Sequence, residues 1–193
     1  MLLIGLKFLL IIPPGESDSH SLYFESKYNW TGLLVEPADS GLNFKNRKAT
    51  TVLNCLAIKD RPHYVDFNLE SALEIDTEND VRTMGGIVMV KSDVVIHVNN
   101  LMSYHQEKSA DTRTLQCLPL YTLLLALDNP TVNWFILDIE GAEFQVLQTI
   151  PWELVDIEMV SVETDLAGLV LPGSRDEIID YMESQGFHHA ASV

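Results

Sequence analysis

The chain has 193 residues, 47% of them apolar and 21% charged, which fits one globular domain with room for a full core. That composition excludes a disordered tail and a collagen-like repeat. Twelve lysines and arginines stand against 28 aspartates and glutamates, a formal net charge of −16, so the surface repels phosphate backbones and no nucleic acid is expected as a partner.

No apolar run reaches the roughly 18 residues that cross a bilayer, so no membrane-spanning segment is expected. The most apolar stretch is the first fourteen residues, MLLIGLKFLLIIPP. Lys7 interrupts it, no basic residue precedes it and no small-x-small site follows, so it reads better as a buried strand than as a signal peptide. The strand occupies residues 9–12 and stops at Pro13-Pro14-Gly15. Residues 17–28 predict a helix, with Ser17, Asp18 or Ser19 as its cap. Residues 32–35 are apolar without alternation and end at Glu36-Pro37, the pattern of a strand buried on both faces. A short helix up to Lys48 and a β-rich third strand over 50–58 follow.

Residues 63–69 (HYVDFNL) alternate behind Pro62 and predict a half-exposed strand. Residues 70–80 hold five acids in eleven and read as a solvated loop. Gly85-Gly86 marks a turn, 87–98 a hairpin and 104–112 a polar loop. His97 reads as a strand residue of that hairpin. Residues 119–127 predict a helix with Pro119 in its first turn. Residues 132–139 (VNWFILDI) are the clearest buried strand, with Trp134 and Phe135 in the core. A short helix over 142–150, a strand over 155–162 ending at Glu163, and an amphipathic helix over 174–185 closed by Gly186 complete the pattern. His188-His189 reads as exposed, and 187–193 supplies one further strand at most.

Strands alternating with short helices predict an α/β domain on a mostly parallel sheet. Ligands of such sheets bind at the carboxyl ends of the strands. Three predicted strands end in acids, at Glu36, at Asp138 with Glu140, and at Glu163, which predicts a pocket there. The two cysteines, Cys55 and Cys117, make no disulfide framework. No CxxC or Cys/His spacing is present, and no metal is expected. Asn29-Trp30-Thr31 is a glycosylation triplet, usable only in a secretory compartment.

Two segments carry a family resemblance: LYFESKYNWTGLLVEP (residues 22–37) and CLPLYTLLLALDNPTVNWFILDIEGAEFQVLQTIP (residues 117–151), extended by Trp152. LYFE, WTGLLVEP, PLYTLLLAL, LDIEGAE and IPW, in that order, resemble the FkbM-type methyltransferase domain, in particular its animal Star-like branch. The resemblance runs from about residue 22 to 187 and is weaker between 60 and 116. It implies a single domain over 1–193 with a class I, S-adenosylmethionine-dependent methyltransferase fold, atypical over 1–16, with its final strands incomplete and a sheet edge left unpaired.

What the resemblance implies for the site is specific. Glu36, 21 residues after Gly15, is placed to accept hydrogen bonds from both ribose hydroxyls. Gly15 and Glu16 are the remnant of the loop that holds the donor, and Ala57 borders the adenine. Asp138 lies beside the donor site, and Asp138 or Glu140 is the base for the acceptor proton. Gly141 allows the turn after the strand, Glu163 faces the acceptor, and Glu143 reads as a helix-surface charge. Cys55 and Cys117 stand where the Star-like branch has cysteine; a disulfide in an oxidising compartment and two buried thiols both remain open.

The chain departs from the family at the first loop. Where the family has roughly E-x-G-A-x-D-G-E, this sequence reads LLIIPPGESDSH, and Pro13 and Pro14 remove amide donors where the backbone should approach the donor. Two expectations follow. One is an O-methyltransferase acting on a small molecule or glycan, with activity reduced by the degenerate loop. The other is a non-catalytic binding module that handles a protein cargo during endoplasmic reticulum, Golgi or endosomal trafficking of growth-factor ligands. By resemblance the compartment is the secretory pathway; otherwise it is the cytoplasm.

Overall fold

The computed structural model describes residues 6–11, 20–37, 47–68, 87–88, 112–139 and 141–190. Five strands form one parallel sheet: β1 (Leu6–Ile11), β2 (Gly32–Glu36), β3 (Thr50–Leu53), β7 (Val132–Leu137) and β8 (Val160–Val162). Their order across the sheet is β3, β2, β1, β7, β8. The chain therefore steps outward from β1 to β3, returns, and continues on the other side of β1. The point where the order reverses lies between β1 and β7, and sheets of this kind take their ligands at the carboxyl ends beside such a point.

Right-handed crossovers running in opposite directions place their helices on opposite faces. Helix α1 (His20–Tyr28) covers one face, where Phe24 meets Trp30 and Trp134 at 4.8 and 5.3 Å between ring centres, above Leu34 and Ile136. Helices α2 (Leu120–Leu125), α3 (Glu143–Gln148) and α4 (Arg175–Ser184) supply the other. There Leu120, Leu124, Val146, Leu147, Ile178 and Met182 pack on Leu33, Val35, Phe135 and Leu137 in the main core. Alternate positions of β2, and of β7 from Trp134 onward, thus face two different apolar layers, which is why both strands read as unbroken apolar runs.

A buried ion pair anchors α1. Arg47 bonds Glu25 through Nε at 2.7 Å and also reaches the Ser21 hydroxyl, while the Lys48 amide donates to the second Glu25 oxygen at 2.7 Å. The charges are kept out of water only because every group in the pair has a partner.

A second sheet is antiparallel: β4 (His63–Asn68) lies between β5 (Ile87–Val88) and β6 (Thr112–Cys117). Strand β6 corrects the sequence reading, which passed over residues 113–117. Its exposed Thr114 and Gln116 alternate with half-buried Leu115 and buried Cys117, the signature of a strand with one wet face. The expected third strand over 50–58 stops at Leu53. Beyond it the Asn54 amide bonds the Glu36 carbonyl, and Leu56 bridges Leu118 instead. The expected strand over 155–162 shortens to β8, preceded only by a bridge between Ile157 and Val132.

Among the described residues the two sheets meet at a seam around Cys55–Ala57 and Cys117–Leu118. The Leu118 amide donates to the Cys55 carbonyl at 3.0 Å, the Ala57 amide donates to the Leu118 carbonyl at 2.9 Å, and Cys55 and Cys117 form a disulfide with their Cα atoms 4.5 Å apart. The choice between thiols and a disulfide is thereby resolved as a disulfide.

Helix α4 begins with a capping box: the Ser174 hydroxyl accepts from the Glu177 amide, and the Glu177 carboxylate accepts from the Ser174 amide at 2.8 Å. Ser174→Ala is expected to destabilise the fold by about 1 kcal/mol, read as a lower urea midpoint at unchanged slope. Residues 187–190 form no strand, and the Phe187 ring meets Trp152 edge-on at 5.3 Å. His188 and His189 are exposed, as expected. No helix among the described residues is long and apolar enough to cross a membrane. Residues 12, 38–46, 70–80, 89–111 and 191–193, and with them His97, most of the helix expected before Lys48 and most of the 87–98 hairpin, lie outside the described residues.

Candidate active site

The register fixes where the strand-end acids stand. Val35 pairs with Ile11, Ile11 with Leu137, and Leu137 with Val162. Glu36, Asp138 and Glu163 each follow that row by one residue, so all three lie at the carboxyl rim of the same sheet. Glu36 and Asp138 flank the end of β1, separated by two inter-strand spacings, about 10 Å. Glu36 is 6% exposed, and its backbone carbonyl holds the Asn54 amide at 3.0 Å, which pins the turn after β3 against the rim.

Asp138 and Glu163 do not stand alone. A third acid, Glu143, joins them from the first turn of α3, and one carboxylate oxygen from each of the three lies within 4.8 Å of the others. Glu143 corrects the sequence reading: it is 1% exposed, not a surface charge. Its Oε1 accepts from the Ile139 amide at 2.8 Å and the Gly141 amide at 3.1 Å. The carboxylate thus closes the loop that carries Asp138, acting as an internal cap for backbone donors that have no helix or strand partner. A signal was present in the sequence: Glu143, Val146, Leu147 and Ile150 share the spacing of the buried face of α3.

Gly141 makes the loop possible. Its φ is +99°, and a Cβ there would lie 2.8 Å from the Cβ of Val170. Both the backbone conformation and the space therefore require glycine.

The electrostatics follow from the crowding. Burial pushes the Glu143 carboxyl above its ordinary value, partly opposed by the amides it accepts from, and the nearby Glu163 charge adds to the rise. Burial also raises Glu163, with the Asp165 charge adding to it and the Asp165 amide opposing it. One Glu163 oxygen accepts from that amide; the other, Oε2, is buried without a hydrogen-bond partner. An acceptor held out of water in this way suits a ligand hydroxyl or a cationic centre. Oxygen donors at this spacing are also the kind that hard cations take, although Glu143 already spends Oε1 on the backbone.

Of the residues predicted from sequence, the fold brings Glu36, Asp138 and Glu163 to one rim. Ala57 is fully buried in a separate small cluster with Cys55, Val65 and Cys117. Gly15, Glu16 and Glu140 lie outside the described residues.

A doubly wound parallel sheet with acids along its carboxyl rim is an α/β fold that takes ligands at that rim, and the family that the sequence matches implies the S-adenosylmethionine-dependent methyltransferase type of it. The chain belongs to the FkbM methyltransferase family: the sequence model described as the methyltransferase FkbM domain matches residues 11–188. No curated protein and no solved structure matches the chain. The family supports a methyltransferase-like function and generally uses S-adenosylmethionine.

Proposed function

We propose that the protein is an S-adenosylmethionine-dependent O-methyltransferase acting on a small molecule or glycan. The observation that carries this reading is the common rim of Glu36, Asp138 and Glu163, with Oε2 of Glu163 buried and unpartnered. These residues fit the donor. Glu36 is the carboxylate at the position where such folds hold the ribose hydroxyls. The carboxylates of Asp138 and Glu163 favour a cation beside them. When bound, S-adenosylmethionine supplies an electrophilic methyl group on a sulfonium.

The remaining work belongs to the chain. Asp138, carried on the loop that Glu143 holds shut, takes the proton of the acceptor hydroxyl; Glu140 is the alternative base. Glu163 lines the acceptor side. Gly15 and Glu16 complete the donor contacts in this proposal, and Ala57, fully buried at the seam between the sheets, is left out of them. Alignment of acceptor and donor supplies much of the rate, so the rigidity of the 138–141 loop matters as much as the base itself.

Titration with S-adenosylmethionine tests the reading. At a hundred times the dissociation constant the ligand should stabilise the fold by about 2.7 kcal/mol, or roughly 5–10 °C in melting temperature for a domain of this size. The absence of both a heat of binding and a thermal shift would rule the donor out.

Pro13-Pro14, in place of the glycine-rich turn, favours a second reading: a non-catalytic, Star-like module that binds a protein cargo in the secretory pathway. Cargo capture that survives Asp138→Ala, in a chain that ignores S-adenosylmethionine, would select it.

A further inference from the structure

We propose that Asn29 is the attachment site of an asparagine-linked oligosaccharide. The triplet Asn29-Trp30-Thr31 is the single acceptor sequence in the chain, because Asn129-Pro130-Thr131 has proline in the middle position. Such triplets occur by chance, and a buried one is inert. This one is not buried: Asn29 and Thr31 are both exposed, at the turn that ends α1 and leads into β2. Asn29 stands at φ +54°, which turns the chain out of the helix at the surface.

The side chain is oriented for the modification. Lys48 Nζ donates to Oδ1 of Asn29 at 2.8 Å, and because an ammonium only donates, the oxygen end of the amide is assigned by that bond. The bond uses Oδ1, not Nδ2, the atom that would carry the sugar.

A second, independent feature points to the same compartment. Cys55 and Cys117, 62 residues apart, form a disulfide, and disulfides of this structural kind persist where the surroundings are oxidising. The lumen that forms such a bond is also where lipid-pyrophosphate-linked oligosaccharide is transferred to asparagine. In that transfer Nδ2 attacks the anomeric carbon. The new C–N bond replaces the C–O bond to pyrophosphate, the lipid pyrophosphate leaves with the electron pair, and the amide proton is lost to base.

Position in the fold makes the modification compatible with ligand binding. Asn29 precedes Gly32, the first residue of β2, whereas Glu36 ends that strand. The glycan would therefore stand at the amino rim, more than about 13 Å along the strand from the acidic rim.

The full chain, expressed behind a secretory leader, tests the inference on the translocated fraction, identified by its Cys55–Cys117 disulfide. One discrete mass increase is expected, removed by an amidase that leaves aspartate at position 29. Asn29→Gln and Thr31→Ala should each abolish it, and Thr31→Ser should keep it. Since the two abolishing changes fall on different residues, a folding defect in either leaves the other informative. A translocated, disulfide-bonded chain without the mass increase overturns the proposal, as does an increase that survives both changes.

Discussion

Replacing Cys55 and Cys117 together by serine is expected to cost about 4 kcal/mol of stability. The bridge closes a loop across a separation of 62 residues, and in the chain-entropy account a loop of that length removes about 4 kcal/mol of freedom from the unfolded chain. For a domain of this size the loss corresponds to roughly 8–16 °C in melting temperature. The same shift should follow from thermal scans in a strong reductant. The location adds to the effect, because both sulfurs sit in the small cluster at the seam between the two sheets. The backbone bonds between Cys55, Ala57 and Leu118 remain in the variant, so the seam should loosen before the parallel sheet does. A double variant that melts with the parent would show that the thiols are not paired in the native protein.

Glu143→Ala is expected to cost about 2–4 kcal/mol. Removing the carboxylate strips the Ile139 and Gly141 amides of their acceptor, and unpaired buried donors carry a penalty of about 1–3 kcal/mol each. Glu143→Gln keeps an oxygen acceptor and should recover most of the loss; equal melting of the two variants would refute the capping role. The titration has a definite sign. The Glu143 and Glu163 carboxyls are raised in the folded state, so the folded chain binds more protons than the unfolded chain just above the ordinary carboxyl value. Stability contributed by these two groups is complete below that value and is lost as pH rises from it through their raised folded values. Glu143→Gln should flatten that decline in a series of urea titrations across the acidic range, and a series parallel to the parent's would show that Glu143 does not contribute to it.

Much of the site was legible before any coordinates. Apolar runs without alternation, as at Gly32–Glu36 and Val132–Leu137, occur where a strand is covered on both faces, and an acid closing such a run must lie at a rim. Strand β6 was equally readable from its alternation, and was missed because Arg113, Thr114 and Gln116 look like loop composition. Glu143 was misread for a different reason. Its neighbours in sequence suggest an exposed helix start, and its role appears only once Gly141 turns the chain back so that two amides converge on one oxygen.

Residue order alone determined the alternation of elements, the acids that end three strands and the glycine the loop requires, because these depend on local periodicity and backbone sterics over a few neighbours. The reversal point beside β1, the gathering of Asp138, Glu143 and Glu163, and the union of Cys55 with Cys117 were decided by packing. Those contacts join residues 20 to more than 60 positions apart, or depend on how a loop closes over a core, and separation along a chain carries no information about distance through space.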